Sequence, residues 1–122
     1  MKFQALQRIT AELVETKAAE GVRYVEIRWG PLLHVTGGLP LADGIAAVCD
    51  GAETGAAATG TVVRLICTAL RSHDPAANVT LAETAARFRD RGLTGWDLAG
   101  PEEAYPDPEL HGREIGRASC RE

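Results

Sequence analysis

Acid–base, nucleophilic and metal chemistry all need carboxylates, histidines or cysteines within reach of one another. In this sequence the candidates gather in three places. Glu26 and Arg28 precede Gly30 and Pro31; Arg71, Ser72, His73 and Asp74 follow a long apolar run; Asp97 leads into Gly100, Glu102 and Glu103. Such residues suit charge pairing and the orientation of a polar ligand, but they are a poor metal set. His34, His73 and His111 are isolated, with no HxH, HxxxH or His/Cys cluster, whereas a catalytic zinc takes about three protein ligands and keeps one position open. A complete zinc site is therefore not expected within the 122 residues. GxGxxG, P-loop and GxSxG patterns are absent, so the pattern alone assigns no catalytic residue. Cys49, Cys67 and Cys120 are odd in number and far apart, which suggests neither a disulfide framework nor a CxxC site. Cys67, inside an apolar run, reads as a small buried side chain.

The elements that must position these groups alternate along the chain. Residues 3–19 read as an amphipathic helix with Phe3, Leu6, Ile9 and Leu13 at helical spacing and Gly21 as its stop. Residues 22–29 read as a strand, with Val25, Ile27 and Trp29 on one face and Tyr24, Glu26 and Arg28 on the other. A Gly- and Pro-rich loop leads to an Ala-rich helix over 40–58, with Pro40 in its first turn. Residues 61–70 are nearly continuous apolar sequence, as in a parallel strand covered on both faces. After a polar break, Thr80 to Glu83 fits a capping box that opens a third helix ending near Gly92. Residues 93–99 form a third strand and 100–111 a loop.

Alternation of this kind means βαβ units and a parallel α/β sheet. In such sheets ligands meet the C-terminal strand ends, where all three charged clusters fall. If the apolar faces meet the helices, Glu26, Arg28 and Asp97 point to the other side and form a polar layer. The competing reading is that strand-end charges belong to solvated loops and that Glu26 and Arg28 simply pair with each other.

Composition bounds the possibilities further. Hydrophobic residues make up 45% and charged residues 25%, as in a globular chain. A net charge of −4 argues against nucleic acid, which is bound through surplus Lys and Arg. No apolar run reaches the roughly 18 residues that span a bilayer, and the N-terminus does not read as a signal peptide. The expectation is a cytoplasmic location and no membrane partner.

Three segments carry a family resemblance. YVEIRWGP over 24–31 resembles the YxExR(Y/F)xP stretch of the adenosine deaminase family, VRLICTALR over 63–71 its next strand with two arginines seven apart, and GWDLAGPE over 95–102 its DLAGxE signature. The resemblance covers about residues 3–111 and implies three strands and three helices of a (β/α)8 barrel. Residues 1–112 then form a partial barrel segment, and 113–122 a foreign or disordered tail. It also implies a zinc-dependent hydrolase that removes the 6-amino group of a purine nucleoside. In the family, the zinc ligands come from an HxH, a His in an HAGE motif and a late Asp, and the proton-shuttling Glu lies in HAGE. None of these has a counterpart here, so the expectation is that zinc and the catalytic residues belong to a full-length parent and that these 122 residues alone are inactive.

Carried over residue by residue, Gly100 matches the glycine whose backbone N–H reaches a purine ring nitrogen, and Ala99 lines the same pocket. Leu70 and Arg71 match residues near the nucleoside. Asp97, Glu26 and Arg28 match signature positions in a supporting shell. Pro101 departs from the Asp often found after the DLAG glycine, which opens the choice between adenosine and a related aminopurine nucleoside such as aminodeoxyfutalosine. From another class, a small non-catalytic α/β binding module is the alternative.

Overall fold

The structure, a computed structural model, describes residues 3–35 and 37–100. The expected tail at 113–122, and the loop from residue 101 onward, lie outside them. The order is α1 (Phe3–Ala19), β1 (Tyr24–Trp29), α2 (Leu32–Val35), α3 (Leu41–Thr59), β2 (Val62–Leu70), α4 (Pro75–Ala86), a 3-10 turn (Arg89–Arg91) and β3 (Leu93–Ala99). The strands form one sheet in the order β1-β2-β3, and both pairings are parallel. This is the expected partial-barrel architecture, with one short helix more than expected. That helix, α2, turns inside the stretch read as loop, where Leu33 and His34 donate to the carbonyls of Gly30 and Pro31.

The period-two reading of the strands holds. Val63, Leu65, Cys67 and Ala69 of β2 are buried against α3 and α4 together with Val48, Cys49, Leu81 and Ala85. Val62 and Arg64 are exposed on the other side. Helices thus cover one face of β2 among the described residues, not both as its apolar composition suggested.

Two helical expectations are corrected. In α1 the buried residues are Leu6, Thr10, Ala11 and Val14, whereas Ile9 is 52% and Leu13 39% exposed. The cause lies in α3. A Cβ added at Gly51 would stand 2.3 Å from the Gln7 carbonyl oxygen and 2.7 Å from the Thr10 Cβ, and one at Gly55 would stand 2.7 Å from the Val14 Cβ. Two glycines let the helices approach nearly backbone to backbone, and that contact turns the Thr10–Val14 side of α1 inward. Thr10 avoids an unpaired hydroxyl by donating to the Leu6 carbonyl at 2.8 Å.

The second correction concerns α4, which begins at Pro75 and not at Thr80. Asp74 is its N-cap and accepts from the Ala76 N–H at 2.9 Å. A capping carboxylate followed by a residue with φ already fixed starts a helix better than the box downstream. Thr80 is interior and donates to the Ala76 carbonyl. The helix stops at Ala86, and the 3-10 turn carries the chain to Gly92.

Arg91 in that turn bonds Asp50 and, at 2.9 Å through both Nε and Nη2, Glu53 of α3. The two carboxylates hold its guanidinium firmly protonated. No helix among the described residues is long and apolar enough to cross a membrane.

Candidate functional site

The face of the sheet turned away from the helices carries the polar layer. Arg28 on β1 reaches across β2 to Asp97 on β3, with Nη1 2.7 Å from Oδ2. Glu26 accepts from the Tyr24 hydroxyl at 3.3 Å. Arg28 therefore pairs across the sheet and not with Glu26, the pairing that sequence spacing also allowed. Thr68 stands in register with Asp97. It is buried, and its hydroxyl has no hydrogen-bond partner among the described residues.

At the C-terminal ends of β2 and β3, the structure brings Leu70, Arg71, Ala99 and Gly100 together. Leu70 is in register with Ala99, and the next N–H along β2, that of Arg71, donates to the Ala99 carbonyl at 2.8 Å. Gly100 has φ of 129°, a conformation that L side chains rarely adopt. A Cβ there would lie 3.2 Å from the Arg71 Cβ and 3.4 Å from the Arg71 nitrogen. Glycine is thus required twice at this position, by backbone conformation and by closeness to β2.

Asn78 of α4 supports this corner. It is fully buried, and its Nδ2 donates to the Leu70 carbonyl at 3.0 Å, an oxygen that also accepts from the His73 N–H at 3.1 Å. Sequence reasoning missed Asn78. The sequence reading placed it in the polar break before the third helix, and the signal that could have found it was Asp74–Pro75, the earlier helix start that puts an amide inside α4.

The histidines are not brought together. His34 lies on α2 and His73 follows β2, while His111 lies outside the described residues. Burial lowers the His34 imidazole below its ordinary range. Among the described residues no three His, Cys, Asp or Glu side chains are grouped so as to hold a metal ion. Cys49 and Cys67 are buried, and burial pushes the Cys49 thiol up to about 11.

The corner matches a known architecture. The family model described as adenosine deaminase fits residues 1–118. The chain belongs to the adenosine deaminase family. Its sequence is 42% identical over 110 residues to the adenosine deaminase of Mycolicibacterium vanbaalenii, covering 88% of this chain and 30% of that protein. The structure superposes with a TM-score of 0.89 on a zinc-bound amidohydrolase from Burkholderia ambifaria, at 30% identity, over 98% of this chain and 33% of that one. An Arabidopsis protein crystallised with IMP superposes at a TM-score of 0.80 and 25% identity, over 98% of this chain and 37% of the other. The chain thus spans about a third of the length of these relatives.

Proposed function

We propose that these residues are the purine-facing strand ends of a deaminase that hydrolyses the 6-amino group of adenosine or a related aminopurine nucleoside, releasing ammonia, in the cytoplasm. One observation carries the reading beyond family membership. The Arg71 N–H to Ala99 carbonyl bond closes the β2–β3 ladder immediately before Gly100, whose N–H belongs to the same peptide as that carbonyl. All peptides in the described residues are trans, so the Gly100 N–H points away from β2 and, among the described residues, meets no acceptor. A purine ring nitrogen is such an acceptor. Leu70 and Ala99 supply the flanking surface, and Arg71 closes the corner. The Arg28–Asp97 bridge ties β1 to β3 beneath it, and Glu26, bonded by Tyr24 of its own strand, stands beside that bridge on the same face. The Burkholderia relative binds zinc and the Arabidopsis relative IMP, which supports a metal-dependent parent and a purine ligand.

The described residues do not themselves fit a catalytic zinc, because they offer no grouped donor set where about three ligands are needed. Their part is binding and orientation. Pro101, in place of the Asp often found after the DLAG glycine, favours a second reading in which the aminopurine is a modified nucleoside such as aminodeoxyfutalosine.

The test is to express the 122 residues alone and, separately, with their adjoining reading frame, and to follow adenosine absorbance with zinc present. The expected result is turnover by the longer product, whose added sequence carries HxH upstream and HAGE downstream, and none by the 122 residues. An extended frame lacking both motifs overturns the parent reading. Turnover and one bound zinc per chain in the 122 residues overturn the ligand count.

A further inference from the structure

The least expected polar group at this corner is the Asn78 amide. It sits in the first half of α4 with no exposure at all. Asparagine is a mediocre helix former, and a buried amide costs stability unless it is bonded. Packing alone would favour an apolar residue there. What the amide does is grip the Leu70 carbonyl, and that carbonyl begins a connected run. The Leu70 oxygen and the Arg71 N–H are two ends of one peptide unit. The Arg71 N–H donates to Ala99, whose carbonyl oxygen and the Gly100 N–H are two ends of the next. Asn78 Nδ2, the Leu70–Arg71 peptide and the Ala99–Gly100 peptide are therefore linked head to tail by bonds of 3.0 and 2.8 Å.

In such a run each carbonyl that accepts a bond makes the N–H at the other end of its peptide a stronger donor, by on the order of 10–30% per bond. The same bonds fix the plane of each peptide. The last N–H, that of Gly100, leaves the sheet on the side of β3 that pairs with no strand among the described residues.

We infer that Asn78 is a positioning residue: from inside α4, through two peptide units, it aims and polarises the Gly100 N–H for a ring nitrogen of a purine nucleoside. The inference rests on the purine reading of Gly100 given above and adds to it a residue that never touches the ligand.

The experiment uses the full 122-residue chain labelled with nitrogen-15 and two probes, purine riboside and benzimidazole riboside, which lacks the six-membered-ring nitrogens. In the wild-type chain the Asn78 side-chain amide protons exchange at least roughly tenfold more slowly than those of an unbonded asparagine, and the Gly100 amide resonance moves with purine riboside but not with benzimidazole riboside. In Asn78→Leu, close in size but without a donor, the Arg71 amide exchanges roughly tenfold faster and the purine-induced Gly100 shift weakens several-fold. The Leu65 amide, bonded to Gly92 at the far end of β3, keeps its protection. Loss of packing alone does not separate two ligands that differ only in ring nitrogens.

Free exchange of the Asn78 side chain in the wild-type chain overturns the inference without any variant, so it stays testable even if Asn78→Leu does not fold. Unchanged Arg71 and Gly100 behaviour in a folded Asn78→Leu overturns it as well. A wild-type Gly100 resonance indifferent to purine riboside overturns the purine reading instead, and the exchange results then stand or fall separately.

Discussion

The contact between α1 and α3 yields a prediction in which one substitution on one helix has opposite signs at two positions. At Gly44 a new Cβ would meet nothing closer than Leu39 Cδ2 at 3.5 Å, ordinary contact with the end of a flexible side chain. Gly44→Ala should then show only the usual gain from replacing a helical glycine, about 0.5–1 kcal/mol. At Gly51 the same methyl would stand 2.3 Å from the Gln7 carbonyl oxygen and 3.1 Å from its carbon. These are backbone atoms of α1 and cannot rotate away, so the two helices must separate. Overpacking costs about 1–3 kcal/mol, and backbone-on-backbone crowding places Gly51→Ala at the upper end. Set against the same helical gain, the net loss is about 2 kcal/mol. For a chain of this size Tm moves by about 3–5 °C per kcal/mol. Gly44→Ala should raise Tm by about 2–4 °C, and Gly51→Ala should lower it by about 6–10 °C. Thermal unfolding by far-ultraviolet circular dichroism, checked by urea midpoints, measures both. A Gly51→Ala chain as stable as wild type, or shifts of the same sign in the two variants, would refute the argument that α3 glycines set the orientation of α1.

Three further outcomes follow from the packing and charges. The Cys49 thiol, pushed up to about 11 mainly by burial, stays protonated in the folded chain after its unfolded counterpart has ionised. Its contribution is therefore complete below about pH 8.5 and is lost as pH rises toward 11, at a slope approaching about 1.4 kcal/mol per pH unit; urea midpoints from pH 8 to 11 should fall less steeply in Cys49→Ala. Arg91→Met removes the tie between the 3-10 turn and Asp50 and Glu53. About 1 kcal/mol should be lost, and 1 M salt should narrow the gap to wild type, because the pairs are partly exposed. A double-mutant cycle on Arg28→Ala and Asp97→Ala should give a coupling of only about 0.2–1 kcal/mol, since the two side chains are 62% and 34% exposed; a coupling of several kcal/mol would mean that the bridge is far drier than this.

Most of the fold was legible because alternation in a strand needs no partner to be seen. Val25, Ile27 and Trp29 opposite Glu26 and Arg28 is a fact of side-chain direction, and placing Asp97 on the face of Arg28 used the same rule. The face of α1 was not legible in its own residues. Ile9 and Leu13 look as suitable for a core as Leu6 and Val14, and the deciding atoms are the missing Cβ groups of Gly51 and Gly55 on another helix. The start of α4 was misplaced because Thr80 to Glu83 satisfies a local pattern that Asp74 and Pro75 satisfy earlier and better. Within the site, Leu70, Arg71, Ala99 and Gly100 were named from a resemblance, and the structure brings them to one corner. Asn78 escaped because its task exists only once α4 is laid beside the end of β2.

The strand order has a meaning for how such a chain comes into being. Among the described residues each new strand pairs with the one synthesised just before it, and no later strand is inserted between two earlier ones. Structure can therefore accumulate in the direction of translation, each new helix–strand unit closing its crossover, from Tyr24 to Val62 and from Leu65 to Leu93, onto a finished edge with no earlier pairing to undo. The edge of the newest strand is at every stage the one that receives the next pairing. The same property makes the architecture a natural unit of recombination: a run of these repeats can be joined to others at a strand edge without rearranging the hydrogen bonds already made.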